Sequence, residues 1–133
     1  MIVVDTNIIS YLYLEGQNTA QAEAVLKKDP DWIAPILWRS EFRNILTLYL
    51  RHDILSLNDA LQIVLEAEDQ MHDREFEVSS AQVLSLVANS SCSAHDCEFV
   101  ALAQDLGIPL VTTDKKILSA FPSTAIAIET FVS

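Results

Sequence analysis

Two kinds of apolar pattern alternate along the chain. Short, nearly unbroken apolar runs occur at "IVVD" (2–5), "DWIAP" (31–35), "EFEVS" (75–79), "IPLVT" (108–112) and "AIAIE" (125–129). These lengths and this composition predict strands, four of them buried and "EFEVS" alternating. Between them, apolar residues recur every three or four positions. That spacing predicts helices over 6–14, 18–28, 36–55, 57–73, 80–91, 93–107 and 115–121. Ser56 is placed to cap the fourth of these, and Gly107 to close the sixth.

Five apolar strands separated by helices predict an α/β fold. Its sheet is mostly parallel and covered by helices on both faces. The chain of 133 residues is one domain by size, spanning 1–133. In such sheets, chemistry gathers at the carboxyl ends of strands, near the point where strand order reverses. The residues standing at those ends are therefore the first candidates.

Composition narrows the function classes. Half the residues are hydrophobic, enough for a core without disulfides or a structural metal. No apolar run is long enough to cross a bilayer. The start "MIVVD" lacks the basic segment and cleavage site of a secretory leader, so a cytoplasmic protein is expected. Cys92 and Cys97 are expected as plain thiols, because a lone pair in a reducing compartment rarely bridges or binds zinc.

The net charge of −11 argues against nucleic-acid binding if taken as a sum. The charge is segregated, however. Eight acidic residues lie between Asp53 and Glu77, with Arg74 their only basic neighbour. Five of the eight basic residues lie between Lys27 and Arg51, and Lys115 and Lys116 follow Asp114.

Four carboxylates have positions that invite chemistry. Asp5 ends the first strand, and Asp114 stands just past the "PLVT" strand. Each also precedes a helix, so an ordinary N-cap explains either one alone. Asp96 follows Ser93 by three residues, as in a capping box. It also shares a stripe with Phe99, Val100 and Ala103, which aims it at the sheet edge. Glu41 lies mid-helix in the row Leu37, Glu41, Ile45 and Leu48, where a charge is costly unless paired or metal-bound. A snorkelling or tertiary salt-bridged glutamate is the plain alternative.

Four acids at one edge would repel one another unless a divalent cation stood among them. Oxygen-only donors suit Mg²⁺ or Mn²⁺ rather than zinc. Two such ions would also offset four of the eleven negative charges. The chemistry that fits is phosphodiester hydrolysis.

These motifs carry a resemblance over the whole chain. "VVDTNIISYL", "SEFRNIL" and "SAHDCEFVALAQDLGIPLVTTDKKI" resemble the PIN-domain nucleases, and within them the small VapC-type toxins of toxin–antitoxin pairs. The resemblance implies a three-layer α/β/α sandwich and Mg²⁺- or Mn²⁺-dependent cleavage of RNA. It places an acidic quartet on Asp5, Glu41, Asp96 and Asp114. It gives Asn7 and Thr112 supporting roles, by hydrogen bonds to the ligands or to water on the metal. It also implies a homodimer and a cognate antitoxin whose tail enters the acidic groove.

Arg39, Arg43, Lys115 and Lys116 are the candidate phosphate contacts, with surface solvation or salt bridging as the plain alternative. The helix from Ile36 to Leu50 is apolar beyond one face, which suggests a dimer or antitoxin surface. A phosphoacceptor receiver domain would need paired acids after the first strand. A haloacid-dehalogenase-like phosphatase would need an aspartate where Asn7 stands. The remaining alternative is a catalytically silent scaffold that binds RNA or protein.

Overall fold

A computed structural model describes all 133 residues. Its elements, in chain order, are β1 (Ile2–Val4), α1 (Thr6–Tyr13), α2 (Thr19–Lys28), β2 (Trp32–Pro35), α3 (Trp38–Arg51), α4 (Leu57–Gln70) and β3 (Glu75–Phe76). Then follow α5 (Ser80–Ala88), α6 (Ala94–Leu106), β4 (Leu110–Thr112), α7 (Lys115–Ala120), β5 (Ala125–Ala127) and α8 (Ile128–Val132).

The five strands form one sheet in the order β3-β2-β1-β4-β5, and every neighbouring pair is parallel. The first strand is therefore central. The chain moves from β1 to β2 to β3 on one side, then crosses back to β4 and β5 on the other. Strand order reverses between β1 and β4, where Asp5 and Asp114 emerge. Helix α1 packs against α2, α3 and α4, α3 packs on α4, and α8 joins them through α2, while α5 and α6 pack as a pair with α6 against β1 and β2. Because parallel crossovers follow the right-handed rule and the strand order reverses at β1, these groups fall on opposite faces, giving three layers.

All residues of β1, β2 and β4 are buried, as strands covered on both faces must be. Trp32, Trp38, Phe42, Ile8 and Ile9 are all fully buried, and the Trp38 and Phe42 rings lie 5.7 Å apart. On α3 the core row is Trp38, Phe42 and Leu46, while Leu48 on that helix and Ile36 just before it stay exposed. Cys92 and Cys97 are free, buried thiols, and burial raises the pKa of both.

The elements differ from the sequence reading at their ends. The helix expected over 36–55 stops at Arg51, because Asp53 turns left-handed at φ 53°. The strand expected over 75–79 pairs with β2 only at Glu75 and Phe76, and Ser79 is taken as the cap of α5. The strand expected over 125–129 ends at Ala127. There α8 begins, burying Ile128, and Lys28 stands 5.0 Å from the Phe131 ring. A five-residue helix is too short to show a helical period, so its β-branched residues read as strand.

Candidate active site

A cleft of about 520 Å³ opens at the carboxyl edge of the sheet, and Asp5, Glu41, Asp96 and Asp114 all line it. Each acid arrives on a different element. Asp5 caps α1 as the chain leaves β1. Asp114 caps α7 just beyond β4, accepting from the Lys116 and Ile117 amides at 2.8 and 3.2 Å. Both are therefore helix caps and site residues at once, since a cap at a strand-to-helix turn points outward over the sheet edge.

Asp96 sits in the first turn of α6. The Ser93 hydroxyl caps that helix by accepting the Asp96 amide at 3.1 Å. Only this half of a capping box forms, so the Asp96 carboxylate is left to the cleft. The stripe below it, Phe99, Val100 and Ala103, is buried as its spacing predicts. Glu41 accepts a 2.7 Å hydrogen bond from the Thr6 hydroxyl. It makes no salt bridge, so an ion pair does not account for its position on α3.

Thr112 joins two of the acids. Its hydroxyl donates to Asp5 Oδ2 at 2.6 Å and accepts the Asp114 amide at 3.0 Å. Asn7 lines the cleft, and its backbone amide donates to Asp5 Oδ1 at 3.5 Å, while its side chain bonds to none of the acids.

The electrostatics show strain at two of the four. Burial pushes the Asp5 carboxyl above its ordinary value; the Thr112 and Asn7 hydrogen bonds oppose the shift, and Asp114 and Asp96 add to it by repulsion. Burial also raises Glu41, against the Thr6 hydrogen bond and with added repulsion from Asp5 and Asp96. These are carboxylates held out of water and next to like charge, as a cation site would be.

A divalent hard cation fits this donor set. Every anionic donor is a carboxylate oxygen, the choice of Mg²⁺ and Mn²⁺ rather than zinc. No three acid, imidazole or thiol groups in the chain form a ready cage. Magnesium suits an open arrangement, because it keeps several waters and takes one or two carboxylates from a protein.

None of the basic candidates lines the cleft. Arg39 is bound to Glu75 through Nε and Nη2 at 2.5 and 2.7 Å, and Glu68 lies 3.5 Å away. That network faces β3 and leaves the guanidinium engaged. Arg43 is exposed and unpaired but does not line the cleft. Lys115 and Lys116 are exposed in the first turn of α7, directly after Asp114.

Four cleft residues escaped the sequence reading: Thr6, Ser40, Asn44 and His95. Ser40 and Asn44 had a signal. With Leu37, Glu41 and Ile45 they form a stripe of α3, at helical spacing, that lines the cleft. Thr6 had none, because its partner Glu41 is 35 residues away.

Known proteins supply a context for this geometry. Residues 2–122 match the PIN domain. The chain is 26% identical over 126 residues to Ribonuclease VapC3 of Pyrobaculum aerophilum, covering 92% of this chain and 95% of that protein. Two crystal structures share the fold. PAE2754 from Pyrobaculum aerophilum superposes with a TM-score of 0.72 at 19% identity, covering 98% of this chain and 92% of that one. FitAcB from Neisseria gonorrhoeae superposes with a TM-score of 0.76 at 20% identity, covering 97% and 99%. With its match spanning nearly the whole sequence and its acids drawn from four elements to one sheet edge, the chain belongs to the PIN domain family.

Proposed function

We propose that this chain is a metal-dependent endoribonuclease, the toxin of a toxin–antitoxin pair, acting in the cytoplasm as one domain. The observation that carries the reading is the convergence of Asp5, Glu41, Asp96 and Asp114 on one cleft. The likeness to a ribonuclease over most of both chains supports RNA as the substrate class.

In this reading the four carboxylates would share Mg²⁺ or Mn²⁺ between them, one or two binding an ion directly and the others reaching it through water. When bound, such an ion neutralises charge developing on phosphoryl oxygens and acidifies water. The protein's own groups do the positioning. Thr112 fixes the orientation of Asp5 and the turn that carries Asp114; Thr6 fixes Glu41. The desolvation of Asp5 and Glu41 is offset when a cation enters, so the site is built to be filled.

A row of exposed apolar residues, Leu57, Leu61 and Leu65 on α4 with Leu48 and Ile54 nearby in sequence, supports a macromolecular partner. A homodimer and an antitoxin are the occupants this reading assigns to such surfaces. Light scattering on the purified chain tests the first, and a dilute monomer would remove it.

Cleavage of a mixed RNA substrate with Mn²⁺, by wild type and Asp96→Asn side by side, tests the activity. Cuts that need metal and vanish in the variant are expected. Intact RNA binding with no cutting by either protein would favour a silent scaffold.

A further inference from the structure

The cleft poses a problem that its acids do not solve. Single-stranded RNA must approach four carboxylates, and no lysine or arginine lines the cleft. Arg39 is spent on Glu75 and Glu68, and Arg74 is paired with Asp31. Arg43, Lys115 and Lys116 are exposed but lie outside the cleft lining, so any grip on the strand within the cleft itself must come from groups that are not basic.

Resting on the nuclease reading above, we infer that Ser40 and Asn44 are substrate-binding residues. They hold the sugar–phosphate backbone of RNA through neutral hydrogen bonds. They lie four residues apart, one helical turn, so they adjoin on the face of α3 that carries Glu41. Both are exposed and both line the cleft. Neither side chain has a hydrogen-bond partner within the protein, whereas Thr6 and Thr112 are committed to Glu41 and Asp5. A hydroxyl and a carboxamide each donate and accept. They can therefore meet both a phosphate oxygen, which only accepts, and a ribose 2′-hydroxyl, which does both. Neutral donors also bring no positive charge to compete with a cation for the carboxylates.

Neutral contacts have a signature that separates them from basic ones. Losing a basic phosphate contact flattens the dependence of log affinity on log salt by about 0.7 for a single strand. Losing a neutral contact lowers affinity at every salt concentration and leaves that slope alone.

The experiment measures binding of a labelled single-stranded RNA with Mg²⁺, in an Asp96→Asn background to block cutting, across a salt series. The Ser40→Ala/Asn44→Ala pair is expected to weaken binding about fivefold to tenfold, with an unchanged slope. Asn44→Asp, which places another carboxylate against the phosphates, is expected to weaken it further. In cutting-competent protein the alanine pair should raise KM more than it lowers kcat. Binding within twofold of the parent, or a changed slope, overturns the inference. The two readings fail separately. Wild type that cuts RNA, with cutting and binding indifferent to Ser40 and Asn44, keeps the nuclease and rejects this contact. Wild type that binds without cutting, yet weakens on Asn44 substitution, keeps the contact and rejects the nuclease. A chain that neither binds nor cuts RNA rejects both.

Discussion

Thr112 and Asp5 lie 107 residues apart and share a 2.6 Å hydrogen bond. Thr112 is fully buried and its hydroxyl also accepts the Asp114 amide. One side chain thus sets the spacing of two acids across the central strand pair. Thr112→Val matches its volume but not its hydrogen bonds. It should lower metal-dependent cleavage roughly tenfold to a hundredfold, as loss of a group orienting a ligand does. It should also destabilise the fold by about 1–3 kcal/mol, because a buried amide loses its acceptor. Thr112→Ser should restore most of the activity. Cleavage rates and urea melts of the three proteins check this, and a fully active valine variant would remove Thr112 from the site.

Asp5 costs the metal-free fold stability. Its folded pKa lies above its unfolded value, so the folded state holds more protons between the two. The penalty is absent below the unfolded value, grows as pH rises from there through the folded value, and is complete only above it. Asp5→Asn removes it. In EDTA at pH 7 the variant should melt higher, by about 4 °C per kcal/mol gained. The difference should close on acidification. Added Mn²⁺ should raise the melting temperature of wild type more than that of Asp5→Asn. An Asp5→Asn protein that melts lower than wild type in EDTA contradicts the reading.

Glu75 behaves in the opposite sense. The Arg39 hydrogen bonds hold its pKa below the ordinary value, and Trp38 Nε1 adds a third donor at 2.7 Å. The stability it contributes is present above its unfolded pKa and is lost as pH falls through the folded one. Glu75→Ala should destabilise the protein by about 2 kcal/mol at pH 7, since charge-assisted bonds and a buried indole N–H lose their acceptor. The gap between variant and parent should narrow in acid, as followed by thermal melts from pH 7 down to pH 3.

Arg39 should matter to stability and not to RNA. Arg39→Met is expected to lower the melting temperature while RNA affinity stays within twofold. Lys115→Ala and Lys116→Ala should do the reverse, leaving the melting temperature in place and flattening the salt slope by about 0.7 each. A large loss of RNA affinity in Arg39→Met would return that residue to the substrate.

The layers of the fold and the four acids were legible because local patterns encode them. A buried strand is a short apolar run, and an acid after such a run marks the sheet edge. Ser56 and Gly107 ended their helices where cap chemistry put them. What could not be read was pairing at a distance. Nothing near Arg39 in sequence announces Glu75, 36 residues on, so its guanidinium looked available. The same holds for Thr6 and Glu41. The short ends, β3 and α8, were misjudged because two to five residues carry no period. Ser40 and Asn44 share the helical spacing of Glu41, but exposed polar residues on a helix are ordinary and mark no site by themselves.

The strand order has a consequence for the chain while it is being made. The first strand waits at the centre of the sheet for β4, which ends at residue 112. Until that partner leaves the ribosome, Asp5 has neither its hydroxyl donor nor its neighbour Asp114. Of the four acids, Asp5 is synthesised first and Asp114 last. The four acids therefore come together only once the non-local pairing of β1 with β4 has formed, and a chain without that pairing has no complete cleft.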